Sequence, residues 1–277
     1  MAAPPSAEVG VFGGSGFYRF LADVEEVAVQ TPYGAPSSPV AVGTLGPRRV
    51  AFLARHGPAH EHPAHRVNYR ANLWALRRLG VRQVLGPCSV GSLRPGIAPG
   101  DIVVCDQLVD RTKDRGDTFF DGPVLNCTAF ADPYCPRLRS AVTEAAAAEG
   151  ITVHERGTVV VIQGPRFSTR AESRWFSGAG WDVVNMTQHP EAILARELGI
   201  CYCGIALVTD YDVGLEGQDG IEAVTMDRVL EVLAENIDRV QGLLRGVIPT
   251  LPDAPAGCGC AAGAIDPGAI DRGGWDR

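Results

Sequence analysis

Apolar and polar residues follow two alternating patterns along this chain. Short, nearly continuous apolar runs are typical of strands buried on both faces, and they occupy residues 7–12, 81–86, 101–109, 157–162, 182–186 and 201–208. Segments with apolar residues at helical spacing lie between them, at residues 66–79, 136–149, 170–176 and 221–244. Residues 40–45 and 50–54 predict a hairpin that turns at Gly46-Pro47. The alternation predicts an α/β protein whose mostly parallel sheet is covered by helices on both faces.

The two ends of the chain lack this pattern. Residues 1–7 carry neither the basic region nor the apolar run of a signal peptide, and we expect them to be flexible. Residues 249–277 are rich in Gly, Ala, Pro and Asp, which predicts a poorly ordered tail. One domain is therefore expected over residues 8–248. Cys258 and Cys260 are a candidate redox pair or part of a metal site, but two cysteines alone specify neither.

Composition narrows the class of protein. The chain has 277 residues, 45% of them hydrophobic and 21% charged, as in ordinary globular proteins. Its net charge of -7 argues against a nucleic-acid partner. No apolar run approaches the roughly 20 residues that span a membrane. Eight scattered cysteines, without a signal peptide, predict reduced thiols and a cytoplasmic location.

Candidate anion ligands follow several predicted strands. Gly13-Gly-Ser-Gly16 lacks the spacing of the nucleotide-binding fingerprints, but it is typical of an anion nest to which Ser15 adds a hydroxyl, or of a plain tight turn. Arg55 and His56 end the hairpin, where a guanidinium offers forked donors to phosphate. The small residues from Cys88 to Gly91 form a second candidate anion or sugar loop. Thr187 begins a helix, either as an anion ligand or as an N-cap.

A pair of carboxylates follows the last predicted strand. Asp210 and Asp212 project to the same side if the backbone stays extended, so one of them should have a raised pKa and could donate a proton. A turn or helix cap is the alternative role. The loop at residues 163–169 presents Phe167 and Ser168, an aromatic face beside a hydroxyl. Because these loops all follow strands, we expect them to form one composite site.

No metal site is expected among the histidines. His60, His62 and His65 are irregularly spaced, and no cysteine or carboxylate pattern completes them.

A series of motifs in fixed order spans residues 8 to 248. They are Gly13-Gly-Ser-Gly16, Leu53-Ala-Arg-His-Gly57, Val67-Asn-Tyr-Arg-Ala-Asn-Leu-Trp-Ala-Leu76, Gly91-Ser-Leu93, Pro99-Gly-Asp-Ile-Val-Val104, Asp106-Gln-Leu-Val-Asp-Arg-Thr112, Gly164-Pro-Arg-Phe-Ser168, Asn185-Met-Thr187 and Thr209-Asp-Tyr-Asp212. With them the chain resembles the trimeric purine nucleoside phosphorylases, most closely the branch that acts on 5′-methylthioadenosine.

The resemblance implies a single-domain fold with a mixed central β-sheet flanked by helices on both faces, and a homotrimer. It implies phosphorolysis of a nucleoside, with inorganic phosphate as co-substrate and without a metal or organic cofactor. The residues that would bind phosphate are Ser15, Arg55, His56, Ser89 and Thr187. Those that would contact base or ribose are Phe167, Ser168, Met186, Asp210 and Asp212, of which the two aspartates would be catalytic. The pocket for the 5′ group would be lined by His60 of a neighbouring subunit, Met226 and Val229.

The prediction of the substrate rests on Asp210 and on three differences between this chain and the family pattern. A carboxylate accepts from a 6-amino group, whereas relatives acting on 6-oxopurines carry Asn there, so Asp210 favours adenine. Cys88-Ser-Val90 replaces the usual Thr-Ala sequence, so the phosphate hydroxyl is expected at Ser89 in place of the usual position. A longer loop after Asp212 and an atypical tail leave the 5′ group open among methylthio, hydrogen, halogen and hydroxyl. A 6-oxopurine nucleoside phosphorylase and a catalytically silent nucleoside-binding sensor are the alternatives.

Overall fold

The computed structural model describes residues 5–13, 21–120, 127–215, 217, 221, 225–254 and 257–264. Within them, eleven strands form one mixed sheet. The strands are β1 (Val9–Gly13), β2 (Ala22–Val27), β3 (Val40–Leu45), β4 (Arg48–Ala54), β5 (Gln83–Ser92), β6 (Ile102–Val104), β7 (Gln107–Arg111), β8 (Val153–His154), β9 (Thr158–Ile162), β10 (Val183–Asn185) and β11 (Cys201–Tyr211). Five helices cover the sheet in the described residues: α1 (Tyr69–Arg78), α2 (Pro136–Ala148), α3 (Arg170–Gly178), α4 (Gln188–Glu197) and α5 (Met226–Val247).

Strand β5 is the centre of the sheet. Its first half pairs in parallel with β1, its last two residues pair antiparallel with β10, and β11 runs parallel to it along its length. From this centre the sheet continues through β1 to β4, β3 and β2 on one side, and through β10 to β9 and β7 on the other. Strand β11 also pairs with β6, which pairs with β8. The carboxyl ends of β5 and β11 are thereby held side by side.

The sheet is mixed, as the family resemblance implies. Six of the strand pairings are parallel, and four are antiparallel. The predicted hairpin is confirmed as β3 and β4, with Leu45 opposite Arg48. Two predictions were wrong in detail: residues 101–109 form two strands, and β5 continues through Pro87 to Ser92, where a loop was expected.

Alternate residues along the strands point into two cores. Phe12, Leu53 and Tyr202 face one core, to which α1 and α4 contribute, while Val11, Phe52 and Cys203 face the other, to which α2 and α5 contribute. The prediction of helices on both faces is therefore confirmed. Helix α5 begins at Met226, five residues later than predicted.

The described part of the tail packs on the second core. Leu251 is 1% exposed and Cys260 is 3% exposed, and short 3-10 helices cover residues 248–250 and 259–261. Residues 251 and 260 therefore depart from the expectation of a poorly ordered tail, while residues 265–277 lie outside the described residues. Among the described helices, none combines the length and apolarity that a membrane crossing requires.

Candidate active site

The first part of the site lies where β1 and β4 end side by side. Gly13 is opposite Ala54, and the backbone N–H of Arg55 donates to the Gly13 carbonyl at 3.1 Å. Arg55 and His56 are thus fixed next to the start of the glycine loop. Ser15 and the rest of that loop, residues 14–16, lie outside the described residues.

Arg55 is held in a buried ion pair. Its Nη2 donates to Glu191 Oε2 at 3.0 Å and its Nε donates to Glu191 Oε1. Its Nη1 donates to the Pro87 carbonyl at 3.0 Å, and the guanidinium lies over the Phe12 ring. Burial alone would lower the pKa of Arg55, but the Glu191 carboxylate more than offsets it, and the pKa is raised. Described residues take three of the five N–H bonds of Arg55, which leaves two for an anion.

Glu191 has a role that the sequence did not predict. It is completely buried in α4, and it also accepts a hydrogen bond from the Tyr202 hydroxyl at 2.8 Å. A glutamate in the first turn of a helix ordinarily interacts with the helix dipole at the surface. Glu191 is 136 residues from Arg55 in the chain, and only their contact in the folded structure identifies it as the counter-charge of Arg55.

His56 is a neutral hydrogen-bonding group in this setting. Its Nδ1 lies 2.8 Å from the His62 carbonyl, so Nδ1 carries the proton and Nε2 is an acceptor. Burial, and then the charge of Arg55, lower the pKa of His56. A neutral His56 can accept a hydrogen bond from the hydroxyl of monohydrogen phosphate.

Thr187 lies at the N-terminus of α4, as predicted. It is 6% exposed, and its side chain makes no capping hydrogen bond to the helix. His189 interrupts the helical backbone just after it, with φ -110° and ψ 130°. The Thr187 hydroxyl is therefore not used as an N-cap, which is compatible with a role as an anion ligand.

Asp210 and Asp212 lie on the same side of the chain, as predicted. A Cβ atom placed on Gly91 of β5 would be 3.0 Å from Asp210 Oδ1 and 3.4 Å from Asp212 Cβ. A bulge in β11 between Val208 and Asp210 sets this register, so that Asp210 is opposite Gly91. The Asp210 carboxylate and the Asp212 Cβ atom therefore both pack against Gly91, where a side chain would crowd Asp210.

The environment of Asp210 favours its protonated form. Burial raises the pKa of Asp210 to about 6, the Thr209 hydroxyl lowers it by donating at 2.8 Å, and the charge of Asp212 raises it. The pKa of Asp212 is also raised by burial, against hydrogen bonding from Ser173 and Ser168. Asp210 is therefore a candidate proton donor close to neutral pH.

Polar atoms near the aspartates are buried without a hydrogen-bond partner in the described structure. They are Asp212 Oδ2, Ser168 Oγ and Asn185 Oδ1. The Ser168 hydroxyl is near enough to lower the pKa of Asp212, although its oxygen makes no hydrogen bond of ordinary geometry. Buried polar atoms of this kind are costly unless a ligand pairs with them, so they indicate a polar ligand.

Of the residues expected at base and ribose, Ser168 lies near Asp212, and Phe167 directly precedes Ser168. Phe167 is 41% exposed, while Ser168 next to it is buried. Met186 directly follows β10, and a Cβ atom on Gly164 would be 2.5 Å from its sulfur, so the thioether lies on the loop that carries Phe167. The exposed Phe167 ring can stack on a flat base, and the Met186 thioether can pack against a sugar.

Cys88, rather than Ser89, shares a face of β5 with the anion ligands. Asn185 Nδ2 and Gln188 Nε2 donate to Cys88 Sγ at 3.3 and 3.4 Å, and Arg55 acts on the pKa of Cys88 by its charge. Ser89 projects to the opposite face because neighbouring strand residues alternate. Its proposed contact with phosphate stays a prediction.

Of the residues predicted for the 5′ group, His60 contacts a site residue, and Met226 and Val229 lie at the start of α5. His60 is exposed and stacks on His56, with ring centroids 6.3 Å apart. Met226 is 55% exposed at the first position of α5, and Val229 is half-buried one turn later. No hydrogen bond or ion pair of the described residues joins these three to the aspartates, and their role also stays a prediction.

The sequence and the fold are similar to those of characterised proteins. Residues 8–249 match the family model described as the phosphorylase superfamily. The chain is 52% identical to the purine nucleoside phosphorylase of Streptomyces coelicolor, over 97% of this chain and 99% of that protein. It is 56% identical to the S-methyl-5′-thioadenosine phosphorylase of Mycobacterium tuberculosis, over 88% and 90%. A crystal structure of a methylthioadenosine phosphorylase from an antarctic soil metagenomic library superposes with a TM-score of 0.88, at 36% identity, over 95% and 92% of the two chains.

Proposed function

Since the chain belongs to the phosphorylase superfamily and is a nucleoside phosphorylase that uses phosphate as co-substrate, we propose that its substrate is 5′-methylthioadenosine or a closely related 5′-deoxyadenosine. The products would be adenine and 5-methylthioribose 1-phosphate. The observation that carries this proposal is Asp210, a half-buried carboxyl group of raised pKa near the end of β11, next to Asp212.

A protonated Asp210 matches the edge of adenine. Its hydroxyl can donate to N7 of the leaving base, while its carbonyl oxygen accepts from the 6-amino group. As the glycosidic bond breaks, negative charge develops on the purine, and proton transfer to N7 neutralises it. The negative charge of the neighbouring Asp212 raises the pKa of Asp210. The pair therefore serves adenine release better than a single solvated carboxylate.

Phosphate would bind at the other end of the site. Arg55 supplies two N–H bonds, His56 accepts from the phosphate hydroxyl, and Thr187 donates from the N-terminus of α4. Phosphate held there can attack C1′ of the oxocarbenium-like sugar as the base departs, so positioning supplies much of the rate. Ser15 completes this group in the proposal, while the place of Ser89 on the opposite face of β5 argues against a direct contact of its side chain with phosphate. Neither a metal nor an organic cofactor has a part in these steps.

The remaining features belong to the same proposal. Met186 lies under the ribose, and His60 of a neighbouring subunit of a homotrimer lines the 5′ pocket with Met226 and Val229. His60 is exposed in the single chain, as a residue that completes a neighbour's site must be. In the cell, such an enzyme would serve purine and methionine salvage in the cytoplasm.

Two other classes of substrate are alternatives to this assignment. A relative of 52% identity is called a purine nucleoside phosphorylase, and a protonated Asp210 can also donate to the 6-oxo group of inosine or guanosine. A 5′-halo-5′-deoxyadenosine differs from the favoured substrate only at the 5′ group, where His60 and Met226 are exposed and Val229 is half-buried.

The deciding experiment measures base release from 5′-methylthioadenosine with and without phosphate, and from inosine and a 5′-halo-5′-deoxyadenosine in parallel. We expect adenine release that depends on phosphate, with 5′-methylthioadenosine preferred over inosine in kcat/KM. Faster turnover of inosine would overturn the adenine assignment. Base release that consumes no phosphate would overturn the proposed reaction.

A further inference from the structure

Four cysteine sulfurs lie together on the face of the sheet that packs α2 and α5. They are those of Cys135, Cys201, Cys258 and Cys260, and all lie within 4.8 Å of one another. Cys135 directly precedes α2, Cys201 begins β11, and the other two belong to the tail. Three segments of the chain thus bring their thiols to one point, and Cys201 lies at the opposite end of β11 from Asp210.

The spacing of the sulfurs matches a tetrahedral thiolate site. Zinc–sulfur bonds of about 2.3 Å in a tetrahedron separate the sulfurs by about 3.8 Å. Here the sulfurs of Cys201 and Cys258 are 3.4 Å apart, and the widest separation is below 4.8 Å. No disulfide joins any two of the described cysteines.

The surroundings are those of a closed structural site. Cys135 and Cys201 are fully buried, Cys260 is 3% exposed, and Cys258 is half-buried. Four ligands from the chain leave no open position for water, which distinguishes structural from catalytic zinc sites. Cys203 lies in the same core but outside the group, so the clustering is not a general property of the buried cysteines.

A cation stands next to the sulfurs. Arg137 Nη2 lies 3.9 Å from Cys201 Sγ, and Arg137 Nε is buried without a hydrogen-bond partner in the described structure. Zinc with four thiolates carries a net charge of -2, which needs such a neighbour in an apolar core. The first turn of α2, whose N–H groups have no partner within the helix, faces the same position.

We propose that Cys135, Cys201, Cys258 and Cys260 bind one zinc ion per chain. Binding converts four thiols to thiolates and releases four protons, with no change of oxidation state. The ion would attach the tail to β11 and to the start of α2, so its role is structural and independent of the proposed reaction.

The test is the zinc content of the full chain, purified without chelator and dialysed against zinc under reducing conditions, by inductively coupled plasma mass spectrometry. We expect one zinc per chain for the wild type and for Cys127→Ser, whose cysteine is exposed and outside the group. Cys135→Ser should contain less than a tenth of that amount. Serine is a good N-cap, so this variant keeps the start of α2. Equal zinc in Cys135→Ser, iron in place of zinc, or a wild type without zinc would each overturn the proposal.

Thiol titration distinguishes the site from disulfides of the same cysteines. The chain has eight cysteines, and a zinc site predicts eight reactive thiols after denaturation in chelator without reductant. Four or six would mean that disulfides hold the group, which overturns the proposal. Cobalt in place of zinc should give the visible absorption of tetrahedral thiolate coordination in the wild type, and that absorption should be lost in Cys135→Ser. The Tm should fall on chelation in the wild type and stay unchanged in that variant.

Discussion

Glu191 accepts two hydrogen bonds from Arg55 in the interior of the protein, between the carboxyl end of β4 and the first turn of α4. The pair joins the two elements that carry the proposed phosphate ligands. Arg55 is 4% exposed and Glu191 is completely buried, so neither charge has water as a substitute partner. The position of the guanidinium therefore depends on the carboxylate.

Glu191→Gln should destabilise the protein and weaken phosphate binding. Loss of the carboxylate leaves the Arg55 charge buried and uncompensated, which costs about 3–5 kcal/mol. The free energy of unfolding in urea and the KM for phosphate measure the two effects. Asp253→Asn is the control, because Asp253 pairs with Arg48 at the surface and should change the stability by less than about 1 kcal/mol. Equal stability of the two variants would contradict the importance of burial.

Asp210→Asn should lower kcat/KM for 5′-methylthioadenosine by about 10²–10⁴-fold, because an amide cannot transfer a proton to N7. In the wild type, kcat/KM should fall as pH rises above about 6, as the free enzyme loses the Asp210 proton. Phosphate itself titrates near this range, but equally for both proteins. The ratio of the two pH profiles therefore isolates Asp210, and a ratio independent of pH would exclude it as the proton donor.

The same variant should alter the pH dependence of stability. The folded-state pKa of Asp210 is raised from 3.8 to about 6, so the folded protein binds more protons than the unfolded chain between these values. Stability from this group is full below pH 4 and is lost as pH rises to 6, by at most about 3 kcal/mol. The Tm of Asp210→Asn minus that of the wild type should therefore be larger at pH 8 than at pH 4. A difference in Tm that is the same at both values would contradict the raised pKa.

Gly91→Ala should impair catalysis more than folding. The new methyl group would be 3.0 Å from Asp210 Oδ1 and 3.3 Å from Val184 Cγ1, so the carboxylate must move. We expect kcat/KM to fall at least tenfold, with a loss of about 1–3 kcal/mol of stability, as for other overpacked sites. Gly96→Ala is the matched control, since no atom of the described residues lies within 4 Å of its new methyl group. Full activity of Gly91→Ala would show that the aspartates tolerate displacement.

The strand-end residues were predictable from local pattern. Asp210 and Asp212 follow an apolar run, so strand geometry alone places their side chains together, and the bulge before Asp210 did not alter the outcome. Arg55 was recognisable as a candidate anion ligand from its chemistry. The continuation of β5 through Pro87 was not predictable, because a proline there indicates a loop until β11 is known to pair with it.

Residues that act through a distant partner were not predictable. Glu191 resembles a surface residue of a helix start until Arg55 is placed beside it. Cys258 and Cys260 were noticed as a pair, but Cys135 and Cys201 lie 123 and 57 residues before Cys258, and only the folded chain brings the four together. The 5′ pocket depends on side chains at the surface of the single chain, where sequence pattern carries little information.

The Arg55–Glu191 pair also has a consequence for the rate of product release. The sugar 1-phosphate carries the same phosphate group that entered, so an unopposed guanidinium would retain the product as firmly as the co-substrate. Glu191 offsets part of that attraction while it fixes the guanidinium, and its removal is expected to weaken phosphate binding because the loss of position outweighs the gain in charge. Binding that is equally strong before and after the reaction does not raise kcat. In the proposed reaction, a neutralised cation at this position would favour the departure of the sugar phosphate.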